Sequence, residues 1–255
     1  MLFSSSPIRR RTFSCMRGDL TIRGTEYRPN GEKLPIAIVC HGFMANQQTV
    51  RQYTRLLAKI GYCAYCFDFC GGSVPPLGRS DGATTDMSVL TEVQDLEAVI
   101  RYAQSLPYAG DTLLLMGCSQ GGIVSALTAA KHPDAVDRLV LFYPAFCIPD
   151  DWRRRFCGQA IPETLELWGM TLGKGYFQEA CALSPLWYSY KRPVLILHGD
   201  EDKIVSLSYS EKAAEKYGHA ELEVFAGEGH GFSEAGMHRV EGMALSFVRR
   251  VLAGR

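Results

Sequence analysis

The sequence predicts an α/β architecture, a mostly parallel sheet with helices on both faces. Three observations carry this. Short continuous apolar runs recur along the chain at 35–40, 62–69, 113–116, 139–143, 193–197 and 222–225. They lack the strict alternation of half-exposed strands, as expected where both sheet faces are covered. Between most of them lie segments of helical periodicity, and one run passes directly into Gly117-Cys118-Ser119-Gln120-Gly121 and a small-residue stretch to Ala130.

Residues 1–18 are polar, basic and unpatterned, which predicts a flexible lead-in, with the folded domain spanning 19–255. Residues 20–28 alternate weakly, as an edge strand would, and Pro29-Asn30-Gly31 closes them. The strand at 35–40 ends in His41-Gly42-Phe43. A helix over 50–60 presents Tyr53, Leu56, Leu57 and Ile60 on one face and stops at Gly61. The strand at 62–69 opens into a loop rich in Gly, Pro, Ser and Asp. A helix over 87–104 then buries Val89, Val93, Leu96, Val99 and Ile100. The strand at 113–116, its helix to about His132 and the strand at 139–143 continue the alternation.

The rhythm breaks between about 146 and 187, where no buried strand is expected. This insertion holds all three tryptophans, Trp152, Trp168 and Trp187, beside the basic cluster Arg153-Arg154-Arg155. The sheet resumes at 193–197 and ends in His198-Gly199-Asp200-Glu201-Asp202. A helix over 206–217, the strand at 222–225, the loop Gly227-Glu228-Gly229-His230-Gly231 and a helix to about Val251 complete the chain.

Twenty-seven basic and 27 acidic residues balance to zero, so no global field draws nucleic acid or an anionic membrane, and small neutral partners fit better. No apolar run approaches membrane-spanning length. No apolar stretch follows Arg9-Arg10-Arg11, which predicts no secretory leader and a cytoplasmic location. Nine cysteines, several within predicted strands, read as reduced core thiols. Cys63-Ala64-Tyr65-Cys66 has no partner pair to complete a zinc set, so neither metal nor cofactor is expected. The oligomeric state is open, a homodimer among the options.

A strand that turns sharply into a helix through Gly-x-Ser-x-Gly holds its serine in a strained conformation above the sheet edge, facing a helix N-terminus. Such a turn also occurs by chance, but the apolar strand before Ser119 and the Gly/Ala-rich helix after it favour a nucleophile. Serine needs a base, usually a histidine oriented by a carboxylate. After Ser119, the acids in a late loop leaving a buried strand are Asp200, Glu201 and Asp202, and spacing alone does not separate Asp200 from Asp202. His230, between glycines before the last helix, is the candidate base. His41 and His198 end strands before Gly, His132 reads as a solvated helix cap, and His219 and His238 sit in polar stretches. The backbone amides of Gln120 and Phe43 are the candidate oxyanion donors.

With these residues placed, the chain resembles the α/β-hydrolases and, more narrowly, their cinnamoyl or feruloyl esterase branch. The basis is Phe67-Asp68-Phe69, Ser80-Asp81-Gly82, Met87-Ser88-Val89-Leu90 before an acidic helix, and the run 117–122 with Gln120. The resemblance implies a cofactor-free serine carboxylesterase acting on a small ester through an acyl-enzyme, with hydroxycinnamates among its substrates. It selects Asp202 as the triad acid from the HGxxD motif and keeps Phe43 and Gln120 as oxyanion donors. It makes 146–187 a cap inserted after the sixth strand, and places Asp151 and Tyr176 near a substrate's phenolic ring. A thioesterase or peptidase-like hydrolase with the same triad, or a non-catalytic binding protein on this fold, are the alternatives. The loop 71–82 is longer than in that branch, and its expected place is near the site mouth.

Overall fold

The computed structural model describes residues 7–74 and 76–252, with side chains in the last helix described through Arg250. The chain opens with a hairpin, β1 (Arg9–Arg17) and β2 (Leu20–Arg28). Then come β3 (Leu34–Cys40), α1 (Gln47–Lys59), β4 (Cys63–Asp68), α2 (Val89–Gln104), β5 (Ala109–Cys118), α3 (Gln120–Lys131) and β6 (Arg138–Phe142). The cap comprises α4 (Ile148–Arg155), β7 (Thr164–Leu167), β8 (Met170–Gly173) and α5 (Lys174–Ala182). The chain returns through β9 (Val194–Gly199), α6 (Leu207–Tyr217), β10 (Ala220–Phe225) and α7 (Glu234–Leu252).

The main sheet has eight strands in the order β1-β2-β4-β3-β5-β6-β9-β10. Strands β4 through β10 in that order are parallel, and β2 pairs antiparallel with β4. The six apolar runs of the sequence are these six parallel strands. The chain leaves β3 toward β4 on one side and later returns to β5 on the other. This reversal of strand order opens a crevice at the carboxyl ends of β3 and β5, where ligands bind in sheets of this kind. Cys40 pairs with Gly117 there, so the loop after β3 lies beside Ser119. The loops after β9 and β10 leave the same edge because their strands run parallel to β5.

Two apolar layers cover the sheet. On one face α1 and α7 bury Val50, Tyr53 and Leu57 against Val240, Ala244 and Phe247. On the other, α2, α3 and α6 share a core with the cap through Ile148, Trp152, Phe177 and Trp187. Local capping fixes where helices begin. Asn46 accepts from Gln48 N at the start of α1, and Ser88 with Thr91 forms a reciprocal capping box at α2.

Three expectations are corrected. Residues Arg9–Arg17 are a strand rather than a flexible lead-in, paired with β2 along their length, and residues 1–6 lie outside the described residues. The strand carries no apolar alternation because it is the sheet edge, with Phe13 its one buried residue. Phe13 lies over Gly24, where a Cβ would sit 2.5 Å from its ring, and stacks on Tyr102 at 4.9 Å. Consequently β2 is not the edge. The cap contains the hairpin β7–β8, with Met170 and Leu172 buried. Its four-residue strands are too short to stand out as apolar runs, and Trp168 and Gly169 turn between them with φ of 52° and 86°. The described residues of the loop 71–82 meet the rim of the Ser119 cavity at Ser73, which donates to Ala45 O, and fold back on β2, where Asp81 accepts from Thr21 N at 2.9 Å.

Because Phe13 fastens the edge strand, Phe13→Ala should cost about 3 kcal/mol, the range for deleting a buried aromatic, read as a lower urea midpoint with an unchanged slope. An unchanged midpoint would show β1 to be dispensable.

Candidate active site

Ser119 occupies the N-cap of α3 with φ 53° and ψ −118°, a conformation that side-chain-bearing residues rarely adopt. The surrounding packing holds it there. A Cβ on Gly117 would lie 2.1 Å from Gly121 O, and one on Gly121 would lie 2.3 Å from His41 O. Neither position tolerates a side chain, which explains the glycine spacing. Gly42 is similarly confined, since its Cβ would meet Ser119 Cβ at 3.1 Å. The turn is tied down by Ser119 N donating to Phe142 O at 2.9 Å and by Gly122 N and Ala145 N donating to Ser119 O.

His230 meets Asp202, its Nδ1 lying 2.7 Å from Asp202 Oδ2. The Asp202 carboxylate has no exposed surface. Its Oδ1 accepts from Ile204 N at 2.8 Å and Val205 N at 2.9 Å. A second histidine is also present. His198 Nε2 is 3.2 Å from Asp202 Oδ2 and 3.0 Å from Val205 O. That carbonyl can only accept, so His198 carries its proton on Nε2, and Ser210 Oγ lies 2.7 Å from Nδ1. Burial alone would raise the Asp202 carboxyl. Hydrogen bonds from His198, His230, Val205 N and Ile204 N outweigh it and hold the group well below the usual carboxylate range. Asp200, by contrast, is exposed and accepts from Gly227 N at 2.7 Å, as a turn residue does.

The tilted Tyr143 ring lies 4.4 Å from that of His230, and Ser119 and His230 line one cavity. No hydrogen bond joins Ser119 Oγ to His230, a contact that in such sites commonly tightens only in the substrate complex. Among the described residues neither Phe43 N nor Gln120 N has a hydrogen-bond partner. Both are amides beside Ser119, the second in the first turn of α3 where the helix leaves its N–H groups unused. His41 is a buried buttress that accepts from Phe69 N at 3.2 Å. His132, read as a solvated cap, pairs with Glu97 at 2.7 Å.

Ser119 and Phe43 border two cavities. One of about 280 Å³ lies under the cap and is lined by Gln120, Asp151, Trp152, Trp168 and Tyr176. The other, of about 300 Å³, lies toward α1 and the His230 loop. A more open groove of about 720 Å³ passes Asp202 and Tyr209 without reaching Ser119. Asp151 is half exposed at the cap cavity, with Arg154 Nη1 at 3.4 Å. The buried Tyr176 donates its hydroxyl to Gln120 Oε1 at 2.8 Å.

Sequence reasoning missed Glu92, which lies on the inward stripe of α2. It is fully buried and accepts from Gln120 Nε2 at 2.9 Å. Glu92, Gln120 and Tyr176 therefore form one buried chain from α2 through the first residue of α3 to cap helix α5. Burial pushes the Glu92 carboxyl well above its ordinary range, more than the Gln120 amide pulls it down. The only signal in the sequence was an acidic residue one position before Val93 on a buried stripe.

Comparison with known proteins identifies the family. A family model described as "Serine aminopeptidase, S33" matches residues 31–177, more than half of the chain. The chain belongs to this family of hydrolases. It is 28% identical to the AB hydrolase superfamily protein YisY of Bacillus subtilis over 244 residues, covering 79% of this chain and 86% of YisY. A carboxymethylenebutenolidase from Pseudomonas putida is 29% identical over 119 residues, 43% of this chain and 50% of that protein. The structure of Est1E from Butyrivibrio proteoclasticus with ferulic acid bound superposes with a TM-score of 0.76 at 25% identity, covering 98% of this chain and 99% of that one. The α/β-hydrolase fold and its esterase-like branch follow from these matches together.

The raised Glu92 carboxyl has a consequence for stability. In the unfolded chain it ionises near its ordinary value of about 4.3. The folded chain keeps the proton to higher pH, so stability is full below that value and declines as pH rises toward the folded pKa. Glu92→Gln, which keeps an acceptor for Gln120, should melt several degrees above wild type at pH 8 and close to it at pH 4. A melting difference independent of pH would refute the raised Glu92 carboxyl.

Proposed function

We propose that the chain is a serine carboxylesterase of small esters that works through an acyl-enzyme. The observation that carries the reading is the strained Ser119 sharing a cavity with a His230 already hydrogen-bonded to the buried Asp202. Ser119 Oγ attacks the ester carbonyl and passes its proton to His230 Nε2. Asp202 accepts from Nδ1, fixes the tautomer and stabilises the imidazolium. The Phe43 and Gln120 amides receive the developing oxyanion, a contribution of several kcal/mol in comparable sites. The alkoxide leaves with the proton from His230, and water then repeats the sequence on the acyl-enzyme.

The acyl group proposed is a hydroxycinnamate or another planar group of similar size. Support comes from the aromatic lining of the cap cavity, Trp152, Trp168, Tyr176 and Phe43, and from the likeness to Est1E, which was solved with ferulic acid. Tyr176 is proposed to act mainly by bracing Gln120, because its hydroxyl is already engaged there. Asp151 remains the proposed polar contact at the cavity rim. The substrate is a small neutral ester, and no cofactor or metal is invoked. No helix among the described residues is long and apolar enough to cross a membrane. The nine free cysteines suit a reducing compartment, and the cytoplasm is proposed.

The test is a panel of p-nitrophenyl esters of increasing chain length, methyl ferulate, methyl p-coumarate, an acyl thioester and aminoacyl p-nitroanilides. Ser119→Ala should lower kcat/KM on esters by at least about a thousandfold and abolish fluorophosphonate labelling, and Asp202→Asn should cost a similar factor in kcat. Ester turnover that survives Ser119→Ala would end this reading. Anilides or thioesters as preferred substrates would transfer the triad to the peptidase or thioesterase alternative, and labelling without turnover would favour a binding protein.

A further inference from the structure

The two cavities at Ser119 are chemically distinct, and the route of the proton tells them apart. In ester cleavage the Ser119 Oγ–acyl carbon bond forms and the acyl carbon–alkoxy oxygen bond breaks. The proton taken from Oγ must be delivered by His230 to the departing oxygen. The alcohol therefore departs on the side that His230 faces. His230 and Gly231 line the cavity toward α1 and do not line the cap cavity. Gln120, whose amide receives the carbonyl oxygen, lines the cap cavity alone.

We propose that the cavity between α1 and the His230 loop is the alcohol subsite, and that it selects an uncharged alcohol of compact size with the acyl group lying under the cap. This assignment rests on the esterase reading. The volume of about 300 Å³ corresponds to roughly ten water volumes, room for an alcohol of about ten non-hydrogen atoms. No Asp, Glu, Lys or Arg is among its lining residues, whereas Asp151 and Lys203 border the cap cavity. A charged alcohol would lose hydration on entry without gaining a counter-ion. The polar groups that remain are suited to neutral oxygen. Gln52 Nε2 lies 3.4 Å from Met237 Sδ, and Tyr53 donates its hydroxyl to the same sulfur at 2.9 Å. Thioether sulfur is a weak acceptor, so the Gln52 amide exchanges it readily for a hydroxyl or ether oxygen of the substrate. Gln52 is exposed on α1, so changing it disturbs no core packing.

The experiment holds the acid constant and varies the alcohol, using methyl, benzyl and 4-carboxybenzyl esters of ferulate, or of butyrate if ferulate is not turned over. Esters of one acid share an acyl-enzyme, so differences in kcat/KM report acylation and hence the alcohol. Wild type should use the benzyl ester at least as well as the methyl ester and the 4-carboxybenzyl ester about tenfold less well. Gln52→Trp, which fills the cavity, should lower the benzyl-to-methyl ratio about tenfold, while the ranking of different acids as methyl esters stays as in wild type. Gln52→Ala, which widens it, should raise that ratio. Melting temperatures matched to wild type verify that both variants are folded. Equal use of the charged ester, a benzyl-to-methyl ratio that neither variant moves, or a shift in the ranking of acids instead would each overturn the assignment. Absence of Ser119-dependent turnover on every ester, methyl included, is a separate result that overturns the esterase reading and the subsite with it.

Discussion

The site depends on one tight packing constraint, the close approach of backbone to backbone around Ser119. The residue keeps an unfavourable φ because the flanking glycines bring β5, α3 and the end of β3 within van der Waals contact. A conformation of this kind costs on the order of 1–3 kcal/mol and persists only where its surroundings over-determine it. Here they do so from several directions. Phe142 O and two amides hold the Ser119 backbone, and the buried His41 ring props the loop that carries Phe43. The strand order is part of the same constraint, because only adjacent β3 and β5 can bring Gly42 against Ser119.

Beneath this turn lies a buried polar chain whose members partner one another. Glu92, Gln120 and Tyr176 are all buried, and their hydrogen bonds offset rather than exceed the desolvation of the groups that make them. What the chain adds is position. It holds the first residue of α3 between the scaffold and the cap, so the cap is joined to a residue that lines the cavity beneath it. The cap and the Ser119 turn are in this sense one mechanical unit.

Most of the parallel sheet was legible because strands covered on both faces must be continuously apolar. The Ser119 turn was legible because its glycines have a steric reason. His230 could be read from its position between glycines before the last helix. The separation of Asp202 from Asp200 was not available from spacing, since both leave the same strand. The resemblance selected Asp202 from the HGxxD motif, and in the structure Asp200 is bonded to Gly227 N and Asp202 to His230. Edge strand β1 was hidden because an edge exposes most of its side chains, leaving one aromatic over one glycine as the whole signal. Glu92 and His198 were hidden for a different reason: a buried polar residue resembles a surface one until its partners are known.

The second histidine on Asp202 bears on how firmly the carboxylate is held. Three of the carboxylate's donors, His198 and the amides of Ile204 and Val205, come from β9 and the loop that follows it. His230 is the fourth and arrives from the far side of β10. The acid is thus solvated by its own segment independently of the histidine loop, and that loop can detach without leaving a bare charge in the interior. The glycine-flanked His230 segment is therefore the one partner of Asp202 that local opening can remove while the other three stay in place.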